Sequence, residues 1–100
     1  MNPALLTPEK VAEILRPVFE SYNVKKAILF GSVAKGTATE SSDIDLLVDS
    51  GLRGLKFFGL VGDVADTIRT EIDMFDVAEI IPDSRIDREI SATGVCIYER

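Results

Sequence analysis

The fold of this chain is decided by residues 31–45, whose sequence is GSVAKGTATESSDID. The segment opens with Gly31-Ser32, directly after one apolar run, and closes with Asp43-Ile44-Asp45, which leads into a second apolar run. Interpreted as strand, turn and strand, the pattern places both aspartates on one face of the second strand, because side chains alternate with a period of two.

Two carboxylates on one face at the start of a strand repel each other. At about 4 Å and an effective dielectric constant of about 20, two like charges cost roughly 4 kcal/mol. A divalent cation between them removes that cost. Asp43 and Asp45 are therefore candidate metal ligands, and the polar loop ahead of them is suited to hold a phosphorylated molecule.

Length and composition favour one globular domain over residues 1–100. Of the 100 residues, 46% are hydrophobic and 28% are charged, which is ordinary for a globular protein. No apolar run is long enough to cross a bilayer, and the first residues lack the order of regions found in a signal peptide. We therefore expect a cytoplasmic protein with no membrane partner.

The charged and metal-ligating residues limit the possible partners and metals. The formal net charge is −6 and the chain lacks a basic stripe, so nucleic acid is not expected as the main partner. Cys96, the single cysteine, is expected to be a small buried residue, and the chain has no histidine. A zinc site of nitrogen and sulfur ligands therefore cannot form within the chain, and oxygen ligands point to magnesium, manganese or calcium.

Hydrophobic periodicity predicts the element order α-β-β-α-β-α-β. Thr7 is the expected N-cap of the first helix, and Pro17 is expected to kink that helix or split it. The pattern predicts an α/β fold of the α+β type, with about four strands in a mixed sheet and helices mainly on one face. The helices and strands are predicted at residues 8–22, 25–30, 44–48, 52–68, 71–78, 82–93 and 95–98.

The helix predicted at 52–68 is assigned one apolar side by its spacing. Three glycines weaken the helical pattern, each at a cost of about 1 kcal/mol relative to alanine. The residues predicted to form the apolar side are Leu55, Phe58, Val61, Ala65 and Ile68.

Two other phosphate- or metal-binding motifs are excluded. The segment Gly31–Thr37 has the glycine spacing of a P-loop, but Lys35 stands on the wrong side of the second glycine. A calcium-binding EF-hand loop beginning at Asp43 would need a ligand at its fifth position and glycine at its sixth. Those positions hold Leu47 and Val48, so neither motif is present.

The pattern of Gly31-Ser32, ten residues and Asp43-Ile44-Asp45 resembles the signature of the DNA polymerase β-like nucleotidyltransferase superfamily. Residues 54–64, 71–74 and 93–99 are similar to the minimal nucleotidyltransferase (MNT) family within it. Members of that family are about this long and are often encoded beside a helical HEPN-domain partner. The resemblance covers nearly the whole chain and implies the polymerase β-like nucleotidyltransferase fold.

The resemblance implies that Asp43 and Asp45 hold two magnesium ions, with manganese as a substitute, against the triphosphate of ATP. Two such metals clamp the attacking and leaving oxygens of an in-line displacement at phosphorus. It also implies a third carboxylate that binds one metal and helps to deprotonate the incoming hydroxyl. Asp73 matches that position. Asp76 is the alternative on the opposite face of a regular strand, and Glu71 shares the face of Asp73 nearer the edge.

Four further residues are candidates for nucleotide binding. Gly31 would let the backbone approach the phosphates, and the hydroxyl of Ser32 would donate a hydrogen bond to them. Lys35 is either a contact of the triphosphate or a solvated lysine of the loop. Ser42 belongs to the same polar segment, directly before the aspartates.

The function that the resemblance implies is transfer of AMP from ATP to a hydroxyl group, expected to be that of a tyrosine, on a HEPN-type ribonuclease toxin. This chain would then be the antitoxin, and Phe57, Phe58 and Leu60 are candidates for docking the partner. Two alternatives remain open. One is a binding protein that neutralises its partner by covering it, and the other is a catalytic subunit that modifies a small molecule.

Overall fold

The computed structural model describes residues 1–100, which form a four-stranded mixed sheet and four helices. None of the helices is both long and apolar enough to cross a membrane. The strands are β1 (Lys26–Phe30), β2 (Ile44–Asp49), β3 (Ile72–Asp76) and β4 (Val95–Glu99). The helices are α1 (Pro8–Ser21), α2 (Gly31–Lys35), α3 (Leu55–Ile68) and α4 (Arg85–Thr93), with short 3-10 turns at Pro3–Leu5 and Val77–Glu79.

The strand order in the sheet is β3-β2-β1-β4. β1 is antiparallel to both of its neighbours, β2 and β4, whereas β2 and β3 are parallel. A parallel pair needs a crossover connection, and α3 supplies it. The predicted architecture, a mixed sheet of about four strands with helices, is confirmed.

The main core lies on one face of the sheet, under α1 and α3. It is formed by alternate residues of the two central strands and by one side of each of these helices. Its fully buried members include Ala27, Leu29, Ile44, Leu46, Val48, Val11, Leu15, Phe19, Leu60, Val64 and Ile68. Because strand side chains alternate, Asp45 and Asp73 point to the opposite face.

Helix α1 begins as predicted but is not split by its proline. The side chain of Thr7 caps the helix by accepting a hydrogen bond from the backbone amide three residues on, at 3.1 Å. Pro17 lies inside an unbroken helix and is exposed. Leu15 and Phe19, on either side of it, are fully buried and hold both halves of the helix on the core.

A short helix, α2, occupies the place where the sequence predicts only a turn. Gly31, with φ of +77°, lets the chain pass directly from β1 into the helix. Gly36, also at φ +77°, ends the helix in a left-handed conformation, and its amide donates to the carbonyl of Val33 at 3.2 Å. Five residues are too few for helical periodicity to appear in the sequence, so the prediction of a turn was wrong here.

Cys96 is exposed, and the prediction of a buried cysteine was therefore wrong. It lies on the edge strand β4 and pairs with Ile28, whose side chain points away from the main core. The apolar neighbours in the sequence belong to a strand at the edge of the sheet, where burial is incomplete.

The apolar side predicted for α3 was wrong for most of its residues. Leu55 is 88% exposed and Phe58 is 69% exposed, whereas Leu60 and Val64 are fully buried. Of the five predicted residues only Ile68 is fully buried. The helix carries apolar residues on several sides, so spacing alone could not select the side that faces the sheet.

The buried side of α3 can be tested with two substitutions on the same helix. We expect Leu60→Ala to lower the free energy of unfolding by about 2–5 kcal/mol, because it leaves a cavity in the core. Phe58→Ala should change it by less than about 0.5 kcal/mol, because the ring is exposed. Urea denaturation measures both, and an equal or larger loss for Phe58→Ala would contradict this packing.

Candidate active site

Three carboxylates are brought together on the face of the sheet away from the main core. The parallel register of β2 and β3 pairs Asp45 with Asp73, and the antiparallel register of β1 and β2 pairs Asp45 with Phe30. Asp43 lies just before β2, two residues from Asp45, and so shares its face. The structure therefore assembles all three of the predicted acidic site residues.

The charges of these side chains act on one another. Burial, followed by the negative charges of Asp73, Glu89 and Asp43, raises the pKa of Asp45 to about 6. The pKa of Asp73 is also raised, by partial burial and by the neighbouring Asp43 side chain. Because both pKa values are raised, the ionised forms of Asp45 and Asp73 are disfavoured in this environment.

No basic side chain of the protein offsets this repulsion. The one ion pair within 4.0 Å joins Lys26 to Glu99, with nitrogen and oxygen 3.9 Å apart, on an exposed part of the sheet. The acidic group on β2 and β3 is therefore uncompensated, and a cation is the partner that its charge calls for.

The residues fit a hard divalent cation in type and in charge. Carboxylate oxygens are the ligands that magnesium and manganese prefer. No three acidic side chains are already arranged to enclose an ion. Asp43, Asp45 and Asp73 are nevertheless neighbours, and a cation among them would offset the burial and the repulsion that raise the pKa values of Asp45 and Asp73.

Gly31 is required by the position of Asp45. A Cβ atom on residue 31 would lie 2.2 Å from Oδ2 of Asp45, closer than any real contact, and its φ of +77° also disfavours side chains. Its amide donates a hydrogen bond to the hydroxyl of Thr93 at 2.9 Å. The glycine of the motif thus makes room for the carboxylate beside it.

The other three predicted nucleotide-binding residues lie on α2 and in the loop before β2. Ser32 is half-buried in the first turn of α2, and Lys35, the last residue of that helix, is exposed. The hydroxyl of Ser42 accepts a hydrogen bond from the amide of Thr39 at 2.9 Å and closes the turn before β2. Ser42 therefore has a structural contact within the loop, and the contacts of all three with a nucleotide stay predictions.

Asp76, the alternative third carboxylate, serves the fold instead. It is buried and accepts hydrogen bonds from the amide and hydroxyl of Ser50, at 3.0 and 2.6 Å, and from the amide of Ala78 at 3.0 Å. Burial alone would raise its pKa, but these hydrogen bonds and the charge of Arg53 lower it. As its spacing predicts, it points to the face opposite Asp73.

One acidic residue near Asp45 was missed by the sequence analysis. Glu89, on α4, has its Oε1 atom 3.4 Å from the position that a Cβ atom on residue 31 would take, and Oδ2 of Asp45 lies 2.2 Å from that same position. It contributes to the raised pKa of Asp45. The residue lies outside the motif. The sequence indicates only that it stands near the apolar side of an amphipathic helix, beside Ile90 and three residues after Ile86.

The concave surfaces of the protein only partly coincide with these carboxylates. A cleft of about 350 Å³ opens beside Asp43 and Ser42 and extends to Glu71. A larger concavity of about 560 Å³ lies between α1 and β4, away from the acidic group. Among the three carboxylates, Asp73 is exposed, whereas Asp43 and Asp45 are half-buried.

A mixed sheet that presents adjacent carboxylates beside a Gly-Ser pair at the start of a short helix is typical of a nucleotidyltransferase domain. Residues 10–100 match the family described as polymerase beta, nucleotidyltransferase. The chain belongs to this family. The predicted superfamily and the predicted enzyme class, nucleotidyltransferase, are thereby confirmed.

Two relatives from Methanocaldococcus jannaschii support the same assignment. One candidate protein adenylyltransferase is 35% identical over 74 residues, which cover 68% of this chain and 76% of that protein. A second is 34% identical over 80 residues, which cover 74% of this chain and 93% of that protein. The similarity thus extends over most of both proteins.

Solved structures share the fold. A chain from the crystal structure of a toxin–antitoxin pair with AMP-PNP superposes with a TM-score of 0.74 at 18% identity, covering 89% of this chain and 73% of that chain. Another comes from a complex of the tri-AMPylated Shewanella oneidensis HEPN toxin with an MNT antitoxin, with a TM-score of 0.69 at 14% identity, covering 94% and 74% of the two chains. The resemblance to minimal nucleotidyltransferases is thus confirmed for the fold.

The different tasks of Asp73 and Asp76 lead to opposite expectations. Asp76→Ala should lower the free energy of unfolding by about 1–3 kcal/mol, because the donors on Ser50 and Ala78 lose their acceptor. This variant should keep the rise in melting temperature that magnesium and ATP produce. Asp73→Ala should retain stability, because it removes a like charge, and should lose that rise. Urea denaturation and thermal melting with and without ligands measure both variants.

Asp66→Ala, at an exposed position of α3, is the control for loss of a surface acid. A ligand-dependent melting shift that survives in Asp73→Ala and disappears in folded Asp76→Ala would reverse these assignments.

Proposed function

We propose that this chain transfers AMP from ATP to a hydroxyl group of a HEPN-type toxin and acts as the antitoxin of that partner. The observation that carries the proposal is the uncompensated carboxylate group of Asp43, Asp45 and Asp73 beside Gly31. Support comes from relatives described as candidate protein adenylyltransferases and from fold neighbours taken from toxin–antitoxin complexes. ATP and magnesium are supplied by the cytoplasm, where we expect the protein to act.

Each of the three aspartates would have its own role in the proposed transfer of AMP. Two divalent cations held by these carboxylates would stabilise the negative charge that develops in the displacement at the α-phosphorus. Asp43 and Asp45 would hold both ions, and Asp73 would hold one of them and help to remove the proton of the incoming hydroxyl. A bond forms between that hydroxyl oxygen and the α-phosphorus, the bond to the β-phosphate oxygen breaks, and pyrophosphate leaves.

The residues around the carboxylates would bind the triphosphate. Gly31 has no side chain, which leaves room for the carboxylate of Asp45. The bare backbone at the start of α2 would also be able to approach the reacting phosphate. Ser32 would donate its hydroxyl to a phosphate oxygen, and Lys35 would reach the outer phosphates from the end of α2. Ser42 would keep the loop before β2 in place through its contact with Thr39.

The partner toxin would dock on the exposed start of α3. Leu55 and Phe58 are exposed there and Phe57 is half-buried, so they offer an apolar surface. Leu60, the remaining candidate, is fully buried and serves the core instead. We expect the acceptor hydroxyl to be that of a tyrosine on the docked partner.

Intact-mass spectrometry of a co-expressed HEPN partner tests this function. With ATP and magnesium, the wild-type chain should add about 329 Da per AMP transferred, the mass of AMP less water, through the displacement at phosphorus. Asp45→Asn should add none, and Glu13→Gln, which removes a charge from an exposed site on α1, should behave as the wild type.

The outcome that contradicts the proposal is an unmodified partner that is still neutralised in a tight complex with the wild type and with Asp45→Asn. Label from ATP that appears only in small metabolites would contradict the protein acceptor while retaining the transferase.

A further inference from the structure

Helix α4 is fixed against Gly31, the first residue of α2. The amide of Gly31 donates to the hydroxyl of Thr93 at 2.9 Å, and that hydroxyl donates to the carbonyl of Glu89 at 2.9 Å. At the end of the helix, a Cβ atom on Gly94 would lie 3.0 Å from Cγ2 of Ile28, so the backbone there packs closely on β1. The height and rotation of α4 over the acidic group are thus set by direct contacts.

These contacts bring the carboxylate of Glu89 close to that of Asp45. A Cβ atom built on Gly31 would lie 2.2 Å from Oδ2 of Asp45 and 3.4 Å from Oε1 of Glu89. These distances add to 5.6 Å, so the two oxygens lie no more than 5.6 Å apart. Oxygens on opposite sides of a magnesium ion are about 4 Å apart, and an ion-bound water extends that span by a further ~2–3 Å. One hydrated ion therefore reaches both carboxylates.

We propose that Glu89 is a fourth carboxylate of the metal site, which holds a divalent cation, or a water molecule bound to it, on the side opposite the β2–β3 pair. The proposal rests on the proposed function, because it assumes that the cation binds at Asp45. Glu89 acts as a positioning residue that raises the affinity of the site for metal before the nucleotide arrives.

The charge of the site agrees with this role. Four carboxylates would balance two divalent cations, whereas three would leave an excess positive charge before ATP binds. Glu89 is half-buried and has no basic side chain within 4.0 Å, so no positive charge of the protein pairs with its carboxylate. A glutamate that served only the fold would be expected to form an ion pair with a basic residue of its own helix. Glu89 forms no such pair.

Isothermal titration calorimetry with Mn²⁺, without nucleotide and with the full chain, tests the proposal. Glu89→Gln keeps the shape of the side chain and removes its charge, and we expect Mn²⁺ to bind about tenfold more weakly. Glu13→Gln, the matched charge control on α1, should bind as the wild type, and Asp45→Asn should lose binding.

A second measurement separates a metal role from a structural one. Without metal, Glu89→Gln should melt at the same temperature as the wild type or higher, because a repulsive charge is gone. A lower melting temperature without metal would mark Glu89 as a structural residue and overturn the proposal.

The outcomes also distinguish this proposal from the function on which it rests. Mn²⁺ binding by Glu89→Gln equal to that of the wild type, with binding lost in Asp45→Asn, overturns the role of Glu89 and leaves the metal site intact. A folded wild-type chain that binds no Mn²⁺, even with ATP, overturns the metal site itself.

Discussion

Parallel pairing of β2 with β3 forces Asp45 and Asp73 side by side, and the rest of the site depends on this enforced contact between like charges. The strands cannot slip to relieve it. A shift of one residue would turn Ile44, Leu46 and Val48 out of the main core, because side chains alternate between the faces. Burial of each such side chain is worth about 1.5–3 kcal/mol, so the core outweighs the repulsion on the opposite face.

The same face shows how a short motif and a distant helix meet. Gly31 has no side chain because the carboxylate of Asp45 fills that space, and its amide is satisfied by Thr93 of α4. The link continues to the backbone of Glu89, so the position of the helix depends on the turn. Carboxylates from β3 and α4 thereby act on Asp45 of β2 through their charges.

The central strands and the carboxylate pair of β2 could be predicted from the sequence, because a period of two and a fixed motif spacing are local signals. Asp73 was assigned as the third carboxylate from the resemblance to nucleotidyltransferases, and its spacing from Asp76 assigns these two residues to opposite faces of the strand. The buried side of α3 could not be predicted, because apolar residues surround that helix and only contact with the sheet selects Leu60 over Phe58. Glu89 could not be predicted because tertiary packing, rather than sequence distance, brings it to Asp45.

The central claim is that the carboxylates on β2 and β3 form a metal site that binds a nucleoside triphosphate. Its most direct test is a crystal structure of the chain with AMP-PNP and Mn²⁺, in which anomalous scattering locates the manganese. We expect an anomalous peak bonded to oxygens of Asp43 and Asp45 and adjacent to Asp73, with the triphosphate on its other side. Nucleotide bound elsewhere, or manganese bound only at sites away from these three residues, would contradict the claim.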